Sequence, residues 1–132
     1  MKMLTGKTVL VMDDEPGIRL LIARALKAAG AIVLEAPDGV IGTLILEQAK
    51  VDLVITDIIM PEKEGVEMIC DIRLAWPHIK ILAITGGGRI DPAVFLNLAK
   101  QLGADVTMKK PLNIKALVGQ VSGLFPPEAK VA

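Results

Sequence analysis

The sequence predicts an α/β fold, a doubly wound parallel sheet of five strands with helices on both faces. Three observations predict it. Short Val/Ile/Leu-rich runs alternate five times with longer stretches of helical periodicity. The runs are close to continuously apolar, as strands covered on both faces require. The chemistry-bearing residues Asp13-Asp14, Asp57, Thr85 and Lys110 each follow such a run. A parallel sheet gathers those positions on one edge, where ligands bind in open α/β sheets.

The first strand is expected over Thr8–Met12. The helix after it has Pro16 near its first turn, where a missing N–H costs little. Ile18, Leu21, Ile22, Ala25 and Leu26 repeat at helical spacing, and Gly30 supplies the stop. A second strand, Ala31–Glu35, leads to Asp38 as N-cap of a helix whose expected core stripe is Ile41, Leu44 and Ile45. The third strand, Asp52–Thr56, is followed by the loop DIIMPEKEG. The next helix starts near Gly65, buries Met68, Ile69 and Ile72, and ends before Trp76-Pro77. The fourth strand, Ile79–Ile84, runs into TGGGR; Asp91-Pro92 then opens a helix through Gln101. The last strand is Ala104–Met108, and the last helix places Ile114, Leu117, Val118 and Val121 on one face. The tail FPPEAKVA is expected to fray. Right-handed crossovers leave few topologies. Five such units fit the flavodoxin-like (βα)5 order 2-1-3-4-5, whose switch point lies between strands 1 and 3.

At 132 residues the chain fits one domain spanning 1–132, with its core over about 7–123. Its 15 basic and 15 acidic residues cancel, so nothing argues for direct nucleic-acid or membrane-surface binding. The lone Cys70 cannot form an internal disulfide and suits a reducing, cytoplasmic compartment. The N-terminal apolar run, soon interrupted by Asp13, is not expected to be a signal peptide, and no stretch is long and apolar enough for a membrane helix.

Taken singly, each polar group has a structural explanation. An acidic pair between strand and helix is more often a cap and dipole partner than a metal site. A single Asp after a strand is usually a turn residue. Independent turn and cap roles do not, however, predict all of these groups on one edge. Carboxylates crowded together repel one another, and a divalent cation relieves them. Mg²⁺ prefers oxygen ligands and accepts one or two carboxylates together with phosphate oxygens. A carboxylate can attack phosphorus to form an acyl phosphate. A lysine neutralises charge in that step, and a threonine hydroxyl can donate to a phosphoryl oxygen.

The segments VLVMDDE, VDLVITDIIMPEKEG, ILAITGG and GADVTMKKPL resemble the receiver domain family of two-component response regulators. The likeness runs through nearly the whole chain. It implies that Asp57 is the phospho-acceptor, that Asp14 is a direct Mg²⁺ ligand, and that Asp13 is a ligand through water. It implies further that the Ile59 main-chain carbonyl completes the metal shell, with Thr85 and Lys110 contacting the phosphoryl group. A cis Lys110-Pro111 bond is also frequent in the family. One departure stands out: where the family usually has Tyr or Phe on the last strand, this chain has Thr107. The usual inward swing of an aromatic ring therefore has no counterpart here. His78 and Cys70 are not expected to take part in the chemistry.

The expected function is a stand-alone signalling phospho-acceptor, not an enzyme beyond assisting its own phosphoryl transfer and hydrolysis. The partners implied are a sensor histidine kinase or phosphotransfer protein and a downstream protein on the helix 4–strand 5–helix 5 face. The alternatives are a phosphorylation-independent receiver-like interaction module, a receiver fragment of a longer regulator, and a small hydrolase using Asp57 as a transient nucleophile, which lacks an evident substrate pocket or cap domain.

Overall fold

A computed structural model describes residues 3–58, 65–86 and 91–126. Five strands and five helices alternate: β1 (Thr8–Met12), α1 (Pro16–Ala28), β2 (Ile32–Ala36), α2 (Gly39–Gln48), β3 (Leu53–Asp57), α3 (Gly65–Ala75), β4 (Lys80–Thr85), α4 (Pro92–Leu102), β5 (Val106–Lys109) and α5 (Ile114–Leu124). All strand pairs are parallel and the order is β2-β1-β3-β4-β5, the topology the sequence predicts. Element bounds shift by a residue or two at several ends. β3 reaches Asp57 and β4 reaches Thr85, so both polar residues terminate strands rather than follow them.

Alternation along the strands divides the core in two. Leu10, Met12, Val54, Ile81 and Ala83 face α2, α3 and α4, meeting Leu46, Met68, Ile69, Ile72 and Ala99. Val9, Val11, Leu53, Ile55, Leu82 and Ile84 face α1 and α5, meeting Ile22, Leu26, Leu117 and Val121. The central strands β1, β3 and β4 are buried almost throughout. That accounts for their continuous apolar sequence.

The expected start signals hold. Pro16 opens α1, and the Asp38 side chain accepts from the Ile41 N–H at the start of α2. Asp91 accepts from the Ala93 N–H with Pro92 in the first turn of α4. Gly30 follows α1 with φ 102°, a conformation that suits glycine. Two packing expectations fail. Ile41 and Leu44 are exposed, and α2 turns Gly39, Gly42 and Leu46 to the core instead. Glycine permits this: a Cβ at Gly42 would lie 2.1 Å from the Met12 sulfur, so glycine lets the helix seat here without displacing that side chain. In α1, Leu21 is also exposed, and Ala23 joins Ile22 and Leu26 in the buried stripe.

Candidate functional site

The carboxyl ends of the strands assemble the site. Strand register pairs Met12 with Thr56, Asp57 with Ile84 and Thr85 with Lys109. Asp13 and Asp57 therefore leave neighbouring strands side by side, while Lys110 leaves β5 beside Thr85. Main-chain bonds extend that register past the last paired residues, from the Ile58 N–H to the Ile84 carbonyl (2.8 Å) and from the Lys110 N–H to the Thr85 carbonyl (2.8 Å). The Lys110-Pro111 peptide is cis, as the family resemblance implies.

Lys110 is the hub. Its ammonium lies 2.7 Å from Asp57 Oδ2, 3.2 Å from Asp13 Oδ2 and 3.1 Å from Glu15 Oε1. Burial opposes its charge, but the hydrogen bond and charge of Asp57, with Glu15 and Asp13 behind them, outweigh burial. The ammonium is held above the usual lysine range. It is fully protonated at neutral pH.

Asp13 shows the opposite balance. Desolvation by burial pushes its pKa up, against the hydrogen bond its Oδ1 accepts from the Glu15 N–H; Asp57 adds to the rise and Lys110 resists it. Its Oδ2 is buried and has the Lys110 charge nearby, yet no hydrogen bond among the described residues. Asp13, Asp14, Glu15 and Asp57 bring carboxylate oxygens within 4.8 Å of one another, with Asp13 and Asp57 buried and the other two exposed. Four acidic groups crowd together, three of them on one ammonium, and an under-satisfied oxygen lies inside the cluster. These hard oxygen donors fit a divalent cation.

Thr85 is fully buried, and its Oγ1 finds no partner among the described residues. Gly86 follows it in close contact with Lys110: a Cβ there would lie 2.2 Å from the lysine Cβ. Gly65, at the start of α3, lets the helix press against the acceptor strand, where a Cβ would stand 2.2 Å from the Asp57 carbonyl oxygen. The structure thus brings together Asp13, Asp14, Asp57 and Lys110, with Thr85 on the same edge. Ile59 lies outside the described residues. His78 is exposed in the turn before β4, at the other edge, and Cys70 lies within α3.

Two site residues escape a reading of the sequence alone. Glu15 is the N-cap residue of α1 but makes no side-chain cap, because its carboxylate goes to Lys110. Arg19, one turn into α1, donates to the Asp13 main-chain carbonyl at 2.7 Å. The DDE run hinted at the first, and nothing short of coordinates pointed to the second.

Comparison with known proteins follows the same lines. The profile of the response regulator receiver domain matches residues 9–122. The transcriptional regulatory protein GlrR of Escherichia coli (strain K12) is 34% identical over 109 residues, which are 83% of this chain and 24% of that protein. Sporulation initiation phosphotransferase F of Bacillus subtilis (strain 168) is 26% identical over 121 residues, 92% of this chain and 95% of that one. The solved structure of the chemotaxis response regulator CheY4 of Vibrio cholerae superposes with a TM-score of 0.82 at 28% identity, covering 92% of this chain and 100% of that one. The chain therefore spans a minor part of the transcriptional regulator and nearly all of the other two. The sequence match, the strand order and the superposition agree: this chain belongs to the response regulator receiver domain family, the phospho-accepting module of two-component signalling.

Proposed function

We propose that Asp57 is the phospho-acceptor and that Asp13, Asp14 and Asp57 hold Mg²⁺ beside it. The observation that carries this reading is the Asp57–Lys110 contact of 2.7 Å at the sheet edge, on the same edge as a buried Thr85 hydroxyl that has no partner among the described residues. In the transfer, an Asp57 carboxylate oxygen bonds to the phosphorus of a phosphohistidine. The P–N bond breaks, and its electron pair leaves with the imidazole. Lys110 is already on Asp57 and neutralises charge on the incoming phosphoryl group, while the Thr85 Oγ1 donates to one of its oxygens. Bound Mg²⁺ supplies further neutralisation of acceptor and phosphoryl oxygens. By the family resemblance the Ile59 carbonyl would complete the set of protein ligands.

Receiver domains exchange phosphoryl groups with histidine kinases or phosphotransfer proteins. For this chain we assign output to a partner protein on the face formed by α4, β5 and α5. The test is intact mass after incubation with MgCl₂ and a small acyl phosphate. The wild type should gain one phosphoryl group, Asp57→Ala none. Lys110→Ala should still bind Mg²⁺ but fail to couple phosphorylation to a structural change. Full phosphorylation of Asp57→Ala would place the acceptor elsewhere.

A further inference from the structure

We infer that Arg19 is a positioning residue for the cation site, fixing the turn that carries Asp13 and Asp14; this rests on the Mg²⁺ reading above. The turn leaves β1 after Met12 and must hold two carboxylates against their mutual repulsion. Each polar position of Asp13 has a neighbour, three through hydrogen bonds and Oδ2 through the Lys110 charge alone. Its N–H donates to the Ala36 carbonyl (3.2 Å), its Oδ1 accepts from the Glu15 N–H (2.9 Å), and its Oδ2 faces Lys110 (3.2 Å). The fourth tie is the Arg19 guanidinium, whose Nη1 donates to the Asp13 carbonyl at 2.7 Å.

That guanidinium is itself oriented. Its Nε lies 3.3 Å from Glu35 Oε1 on β2, and the Arg19 side chain is only 19% exposed. The rigid planar fork therefore spans three pieces of chain: the β1–α1 turn, the first turn of α1, and edge strand β2. A lysine offers one point charge and cannot reproduce both bonds at fixed angles. Arg19 touches none of the reacting groups. It acts through the Asp13 backbone, as outer-shell partners orient metal ligands elsewhere.

Charge and positioning predict opposite signs here, which makes the inference testable. A cation near a cation site repels it, so if charge were all, Arg19→Met would bind Mg²⁺ more tightly. If Arg19 positions the turn, Arg19→Met binds Mg²⁺ more weakly, by about tenfold. The measurement is an NMR titration of the full chain with MgCl₂, following the amide shifts of Asp13, Asp14 and Glu15. Amide signals of β3 and β4 serve as the control that the variant is folded. Arg19→Lys, which keeps the charge, should also be weakened. Equal or tighter binding by Arg19→Met, or wild-type binding by Arg19→Lys, overturns the inference while leaving the site reading intact. A wild type that shows no Mg²⁺-dependent shift overturns the site reading and this inference together.

Discussion

Asp13 sets function and stability against each other at the scale of one residue. Burial and the Asp57 charge raise its pKa, with the Glu15 N–H and Lys110 resisting. A raised carboxylate pKa means that the native state binds the proton more tightly than the unfolded chain does. The sign follows. Metal-free stability falls as pH rises from the ordinary aspartate value, roughly 3.9, through the raised folded value, and stays lowered above it. Asp13→Asn should remove that contribution and stabilise the metal-free protein at neutral pH. Urea titrations with chelator present would show it as a higher midpoint. A lower midpoint would mean that the Asp13 charge is a net gain through Lys110. Asp57→Asn should act in the same direction, because Lys110 keeps Asp13 and Glu15. It should also blunt the rise in melting temperature that Mg²⁺ gives the wild type.

At the scale of elements, the sequence was most legible where one signal had one structural outcome. Asp38 and Asp91 cap their helices as their positions foretell, and Met68, Ile69 and Ile72 are buried together in α3. Periodicity fails in α2 because GVIGTLILEQ is apolar nearly all round, leaving no polar face to choose by. The choice falls to Gly42 against Met12, a contact between distant parts of the chain. The site divides in the same way. Asp13, Asp14, Asp57, Thr85 and Lys110 are legible because strand ends converge by topology. Glu15 and Arg19 are not, because their roles depend on where long side chains reach. Gly65 belongs with the illegible group, as a helix start whose missing Cβ permits contact with Asp57 and Ile58 backbone. Gly65→Ala would place a carbon 2.2 Å from the Asp57 carbonyl oxygen and 2.6 Å from the Ile58 Cα. Backbone cannot yield as a side-chain tip does, so the substitution should cost about 1–3 kcal/mol. Equilibrium unfolding in urea would measure it, and an unchanged midpoint would mean that α3 re-seats freely.

For the whole molecule, given the proposed phosphorylation of Asp57 and output through α4, β5 and α5, the question is how the signal reaches that face without an aromatic on β5. Thr107 is half-buried opposite Ala83, with no ring to move. What remains between the site and the output face is the loop after Thr85 and α4 itself. Among the described residues, the two ends of that helix are held differently. Its C-terminal end is locked: Gly103 caps it at φ 123°, and its carbonyl accepts from Arg73 Nε at 2.9 Å. The same guanidinium donates to the Ile79 carbonyl and, at 2.7 Å, to Asp105 Oδ2, tying α3 to the start of β4 and to the turn before β5. Its N-terminal end has a local cap, Asp91 onto Ala93, with exposed Ala93 and Val94. A signal from Thr85 should therefore loosen or reseat α4 from its N-terminus while Gly103 stays fixed. Hydrogen exchange with and without a phosphoryl mimic bound at Asp57 tests this. Protection should change most between Thr85 and Gln101, with the change decreasing toward Gly103. Arg73→Met should spread it through Gly103 to Asp105, because the fixed end is then released. A uniform change along α4 in the wild type would instead mean that the helix moves as one body, with Arg73 no anchor to it.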